Sequence, residues 1–123
     1  MIEAVLLALA AQLTASEELD VVRPYRECAI QAAYYMAQSD YSVSDAAKMA
    51  VTLCADRRAA AISLLAHSLG EGAAAQTMVR WDRTIADDIE GPILRLRTCQ
   101  QDAACNAFFD QRRIARLGPF TPE

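Results

Sequence analysis

At 123 residues the chain has room for one hydrophobic core and not for two. Its composition, 54% hydrophobic and rich in alanine with four glycines and four prolines, favours helices throughout, because alanine is the best helix former and β-branched residues are sparse. A net charge of -4 and a pI near 4.9 argue against nucleic acid as a partner, since phosphate binding draws on excess Lys and Arg.

Met1 to Gln12 is a short apolar run with small residues at Ala8 and Ala10, but Glu3 stands where a secretion signal carries positive charge. Two readings of residues 1–12 stay open: a truncated signal-like segment, or an N-terminal helix packing Val5, Leu6 and Leu9 on the core. The run is too short to span a bilayer, which needs about 20 apolar residues. Residues 13–118 read as a single helical domain and 119–123 as an extended tail.

Thr14 to Asp20 is polar and acidic, and reads as a connector. The first helix is predicted from Pro24, where a missing N–H is harmless at the first helical position. Tyr25, Cys28, Ala29, Ala32, Tyr35 and Met36 then recur at spacings of three and four. Gln38 to Ser42 breaks the pattern, and Ser42-Val43-Ser44-Asp45 resembles a capped helix start. A second helix follows to about Leu69, with Gly70 and Gly72 as its terminators.

These two helices carry one cysteine each, Cys28 and Cys54, at nearly equal distances from the Ser39-Asp40-Tyr41 turn. In an antiparallel hairpin they face each other. A disulfide needs Cα atoms about 4.4–6.8 Å apart, closer than the usual 8–10 Å between helix axes, so small neighbours are required. The same register sets Ala32 against Ala50 and Ala29 against Leu53, with Ala33 and Met36 near Met49 and Ala46. Buried free thiols in a cytoplasmic bundle are the alternative.

A third helix is predicted from Ala73 to about Ile89, with Ala74, Met78, Trp81, Ile85 and Ile89 on its core face. Asp87, Asp88 and Glu90 crowd its end; they read as a solvated face with Arg83 pairing Asp87, or as a cation site. Gly91-Pro92 is expected to break the chain, and a short fourth helix to run through Thr98. Cys99 and Cys105 would be about 9 Å apart along one continuous helix. They can be joined only if the chain turns between them, with Asp102 capping a last helix through Phe108, Ile114 and Leu117, and the other two pairings of the four cysteines stay open.

The fold expected is therefore all-α: a small bundle of four to five helices built on a hairpin linked through Cys28 and Cys54, with a second staple joining Cys99 and Cys105. Two bridges imply an oxidising compartment, periplasmic or secreted.

No redox or zinc Cys-x-x-Cys, phosphate-binding glycine loop or Gly-x-Ser-x-Gly occurs. His67 is the single histidine, and it lies over three helical turns beyond Cys54, too far to join it on a metal. No catalytic residue, metal or cofactor is predicted. The function expected is a non-enzymatic, exported accessory module that binds another protein, alone or as a homodimer. One alternative is a carrier holding a small apolar ligand among Tyr34, Tyr35, Met78, Trp81 and Phe108; an enzyme is the other. Beyond Ile93 the chain turns basic, and Arg112, Arg113 and Arg116 are candidates to bind an acidic partner or to pair internally with the Asp87, Asp88, Glu90 cluster.

Overall fold

The computed structural model describes residues 13–99, 102–105 and 107. Four long helices occur among them: α1 (Ala15–Met36), α2 (Val43–Thr52), α3 (Ala55–Leu69) and α4 (Glu71–Cys99). Residues 1–12 and 119–123 lie outside the described residues, as do Phe108, Arg112, Arg113 and Arg116.

The stapled hairpin is present. Cys28 and Cys54 are bonded with Cα atoms 6.0 Å apart, and Ala29, Ala32, Ala33, Ala46, Ala47 and Ala50 are all fully buried beside them. Ser42 caps α2 as expected, its hydroxyl accepting from the Asp45 amide at 3.1 Å. Met49 departs from the expected seam: it is 36% exposed at the rim.

The second arm is not one helix. It breaks at Leu53-Cys54, where the Cys54 amide bonds to the Val51 carbonyl at 3.1 Å in a tightened turn before α3 begins. The break falls on the bridge itself. A backbone leaving the helical path can approach α1 more closely than a straight helix axis could, and the disulfide requires that approach.

Three further boundaries differ from expectation. α1 starts at Ala15, not Pro24, because Thr14 caps it by accepting from the Glu17 amide at 3.1 Å, with Glu17 and Glu18 in the first turn. Pro24 sits inside the helix on an exposed position, where water can serve the one carbonyl left without its partner. α3 ends at Gly70, whose φ of 87° suits glycine, but α4 begins at once with Glu71, so Gly72 is helical rather than a terminator.

The third is Gly91-Pro92, which does not break α4. An interior proline costs about 3 kcal/mol or more, yet Ile93, Leu96 and Cys99 beyond it are all buried, and each large apolar side chain recovers about 1.5–3 kcal/mol. The stripe Ile85, Ile89, Ile93, Leu96 therefore carries the helix through.

Glu18 and Tyr25 meet Trp81 and Asp82, and the end of α1 meets Arg97, so α1 and α4 run in the same direction. The broken arm α2–α3 runs opposite to both. α4 packs on all three other helices and is the spine of the bundle.

Arg97 also closes α1. Its Nε donates to the Ala37 carbonyl at 3.1 Å and its Nη2 to the Ser39 carbonyl at 3.0 Å, which supplies the cation that the last turn of α1 lacks. Hydrogen bonds from a charged donor are worth about 1.5–3 kcal/mol. Arg97→Ala is expected to lower stability by about 2 kcal/mol and Tm by about 10 °C, with Arg97→Lys recovering only part, as followed by circular dichroism on heating. A melting point unchanged in Arg97→Ala would refute this role.

At the far end the chain turns as predicted. Cys99 and Cys105 are bonded, their Cα atoms 5.6 Å apart. Asp102 caps the new helix by accepting from the amides of Ala104 at 3.0 Å and Cys105 at 3.2 Å. No cysteine is free, and paired cysteines of this kind belong to an oxidising environment. None of the described helices is long and apolar enough to cross a membrane.

Candidate binding groove

Because α4 runs against the broken arm, two helical stripes face each other across a furrow. On one wall Ser44, Lys48, Val51, Thr52 and Ala55 follow spacings of four, three, one and three. On the other, Val79, Asp82, Arg83, Ala86, Asp87 and Glu90 follow three, one, three, one and three. The second set, and Ser44 to Thr52 of the first, each have the spacing of a single helix face, and Ala55 opens α3 just past the break. The furrow between them has a volume of about 600 Å³, is open along one side and continues for about three turns.

One end of the groove rests on a polar network. Arg58 clamps Asp82 with both Nε and Nη2, at 2.9 Å to Oδ1 and 2.7 Å to Oδ2. Below them the fully buried Tyr25 donates its hydroxyl to Asp82 Oδ1 at 2.6 Å. Burial, and then the hydrogen bond to the Asp82 carboxylate, push the Tyr25 hydroxyl well above the ordinary tyrosine value. The same carboxylate raises Arg58 further. The three groups tie α1, α3 and α4 together and hold this end of the groove rigid.

Chemically the groove combines apolar and charged side chains. Its lining is mainly carbon, with Val51, Ala55, Val79 and Ala86 as apolar members. Its rim offers Lys48 and Arg83 against Asp87 and Glu90, and neither histidine nor cysteine is among the residues lining it. The expected Arg83–Asp87 ion pair does not form. Among the described residues, the side chains of Arg83, Asp87 and Glu90 make no ion pair or hydrogen bond, and no three His, Cys, Asp or Glu gather as they would to hold a metal.

The aromatic and methionine residues singled out in the sequence are distributed differently. Met78 is fully buried in the core, whereas Tyr35 is 54% exposed. Tyr34 and Trp81 are half-buried against the core, and the Trp81 indole N–H donates to Glu18 at 2.6 Å. None of these four lines the groove. His67 lies exposed in the last turn of α3, away from it.

The residues that do matter at the groove, Arg58 and Asp82, had a readable signal. Each has only apolar or alanine neighbours three and four positions away on its own helix: Cys54, Ala55, Ala61 and Ile62 around Arg58, and Met78, Val79, Ile85 and Ala86 around Asp82. A charge so placed has no local partner and must find one across the fold.

No protein-family model matches this chain, and neither a characterised protein nor a solved structure matches it.

Proposed function

We propose that this is a non-enzymatic, exported accessory protein that works by binding another protein, and that the groove between α2 and α4 is its recognition surface. The observation that carries the reading is the groove's rim: charges of both signs that pair with no other described residue, set beside apolar side chains on two facing walls. Such a face suits an amphipathic segment laid along it, with apolar side chains as anchors and charges fixing register. The paired cysteines support a periplasmic or secreted setting.

The carrier of a small apolar ligand stands as the second reading, because a volume of about 600 Å³ falls in the range of small-molecule sites. Its site would be this groove rather than the space among Tyr34, Tyr35, Met78 and Trp81. Open clefts of this kind bury a drug-sized molecule less completely than closed ones do, which favours a protein partner.

A photo-cross-linking residue at Ser44, in the groove, is expected to give a discrete protein adduct in the cells that make the chain, and one at exposed Glu27 on α1 is expected to give none. Equal labelling from both positions would refute groove recognition. A small molecule co-purifying with the protein, displaced by Ala86→Trp, would favour the carrier.

A further inference from the structure

The α4 wall of the groove is complementary to itself. Val79, Arg83, Ala86, Asp87, Glu90 and Leu94 lie on one face of α4, and the two apolar residues at its ends are 56% and 57% exposed. Near its centre is the small Ala86, flanked by Arg83 on one side and by Asp87 and Glu90 on the other. We propose that two copies of this chain pair antiparallel along this face, each α4 lying against the groove of the other. This inference rests on the groove reading above and names a second copy as the partner.

In an antiparallel pair centred between Ala86 and Asp87, Val79 of one copy faces Leu94 of the other, and Arg83 faces Glu90. Two-fold symmetry repeats each contact, as an isologous interface requires. A parallel pair would set Arg83 against Arg83 and Glu90 against Glu90, so the charges choose the direction. A foreign partner would not require the two halves of this stripe to match each other; a second copy does.

Two described contacts of α4 with other parts of the chain lie on other sides of the helix. Trp81, which meets Glu18 near the start of α1, stands about 140° around α4 from Ala86, and Cys99, where the last turn is stapled, about 180° from Glu90. Neither of these two contacts falls on the Val79 to Leu94 face. One helix pair with flanking contacts from Ser44 and Lys48 makes a small interface, so the dimer is expected in about the micromolar range.

Sedimentation equilibrium of the purified protein tests this. Arg83→Glu and Glu90→Arg are each expected to weaken the dimer by about tenfold or more, because each turns two attractive pairs repulsive. The double variant is expected to restore it to within about threefold, since the pairs reappear reversed. Circular dichroism verifies that the variants are folded. Independently, Ala86→Cys should give a covalent dimer on mild oxidation and Glu27→Cys should not.

A monomer at all concentrations with no Ala86→Cys dimer overturns the proposal, and so does a dimer indifferent to both charge reversals. If the dimer fails while Ser44 still cross-links a foreign protein, the second copy is wrong and the groove reading stands. If the dimer forms and Ser44 labels only a second copy, the dimer stands and recognition of a foreign protein falls.

Discussion

Replacing Cys28 and Cys54 together by alanine is expected to cost about 3.5 kcal/mol and to lower Tm by about 15 °C or more. The bridge closes a sequence separation of 26 residues, and in the chain-entropy model a loop of that length constrains the unfolded chain by about that amount. What makes the loss large is the interior around it. Six fully buried alanines line the seam, and a methyl group brings far less apolar area out of water than a leucine or isoleucine does. The small residues that let the helices approach closely also limit how strongly their burial holds them. For a domain with about 5–15 kcal/mol in total, the bridge is a large share of the margin. The Cys99–Cys105 bridge spans a separation of only 6, and its removal should cost about 2 kcal/mol, felt mainly at the end of α4. Urea unfolding of the two alanine pairs measures both. A Cys28, Cys54 double variant within about 1 kcal/mol of the native protein would show that the alanine seam, not the bridge, holds the arms together.

The same bridge shows what a sequence makes legible. Its register depends on one turn position and the helix period, both of which are local, so counting from Ser39-Asp40-Tyr41 is enough to bring Cys28 to Cys54. The Asp102 cap and the Cys99–Cys105 staple are legible for the same reason, since a continuous helix could not join those sulfurs. Where expectation failed, local punctuation met a distant contact. Pro24 and Gly91-Pro92 read as boundaries by rule, but Val22 on one side and Ile93, Leu96 and Arg97 on the other are held by partners up to 61 residues away. The start of α1 was in fact marked, by Thr14-Ala15-Ser16-Glu17, a hydroxyl followed three residues later by an acid.

The groove was harder to see than the hairpin. The α4 wall is an ordinary half-polar stripe and the other wall crosses the break from α2 into α3, and only the direction of α4 relative to that arm makes them face. That direction is set by contacts such as Tyr25 to Asp82, separated by 57 positions. No periodicity encodes such a pair. The isolation of Arg58 and Asp82 among apolar neighbours announces that partners exist, without saying which. Met78 falls at core spacing and is fully buried there, with Trp81 half-buried against the same core.

Asp82→Ala should be the most damaging single change near the groove, costing about 3 kcal/mol, with Asp82→Asn costing about half as much. Alanine leaves a fully buried tyrosine hydroxyl and a clamped guanidinium without their acceptor, whereas asparagine keeps one oxygen. The Arg58–Asp82 pair contributes only part, because its side chains are 35% and 27% exposed and water screens them. The hydrogen bond from Tyr25 contributes the rest, and pH can isolate it. In the unfolded chain Tyr25 releases its proton near the ordinary value of 10.0, but in the folded protein burial and Asp82 hold that proton to higher pH. The folded value is raised, so this stabilisation is complete below pH 10 and declines as pH rises above it, by up to about 1.4 kcal/mol per unit. Tyr25→Phe should cost about 1–2 kcal/mol at pH 8 by losing the hydrogen bond, and it carries no proton to release. The stability gap between the native protein and Tyr25→Phe should therefore narrow from pH 8 to pH 11 in urea unfolding. A gap that stays constant over that range would mean that Tyr25 ionises in the folded protein as readily as in the unfolded one, and that the Tyr25–Asp82 bond does not hold the floor of the groove.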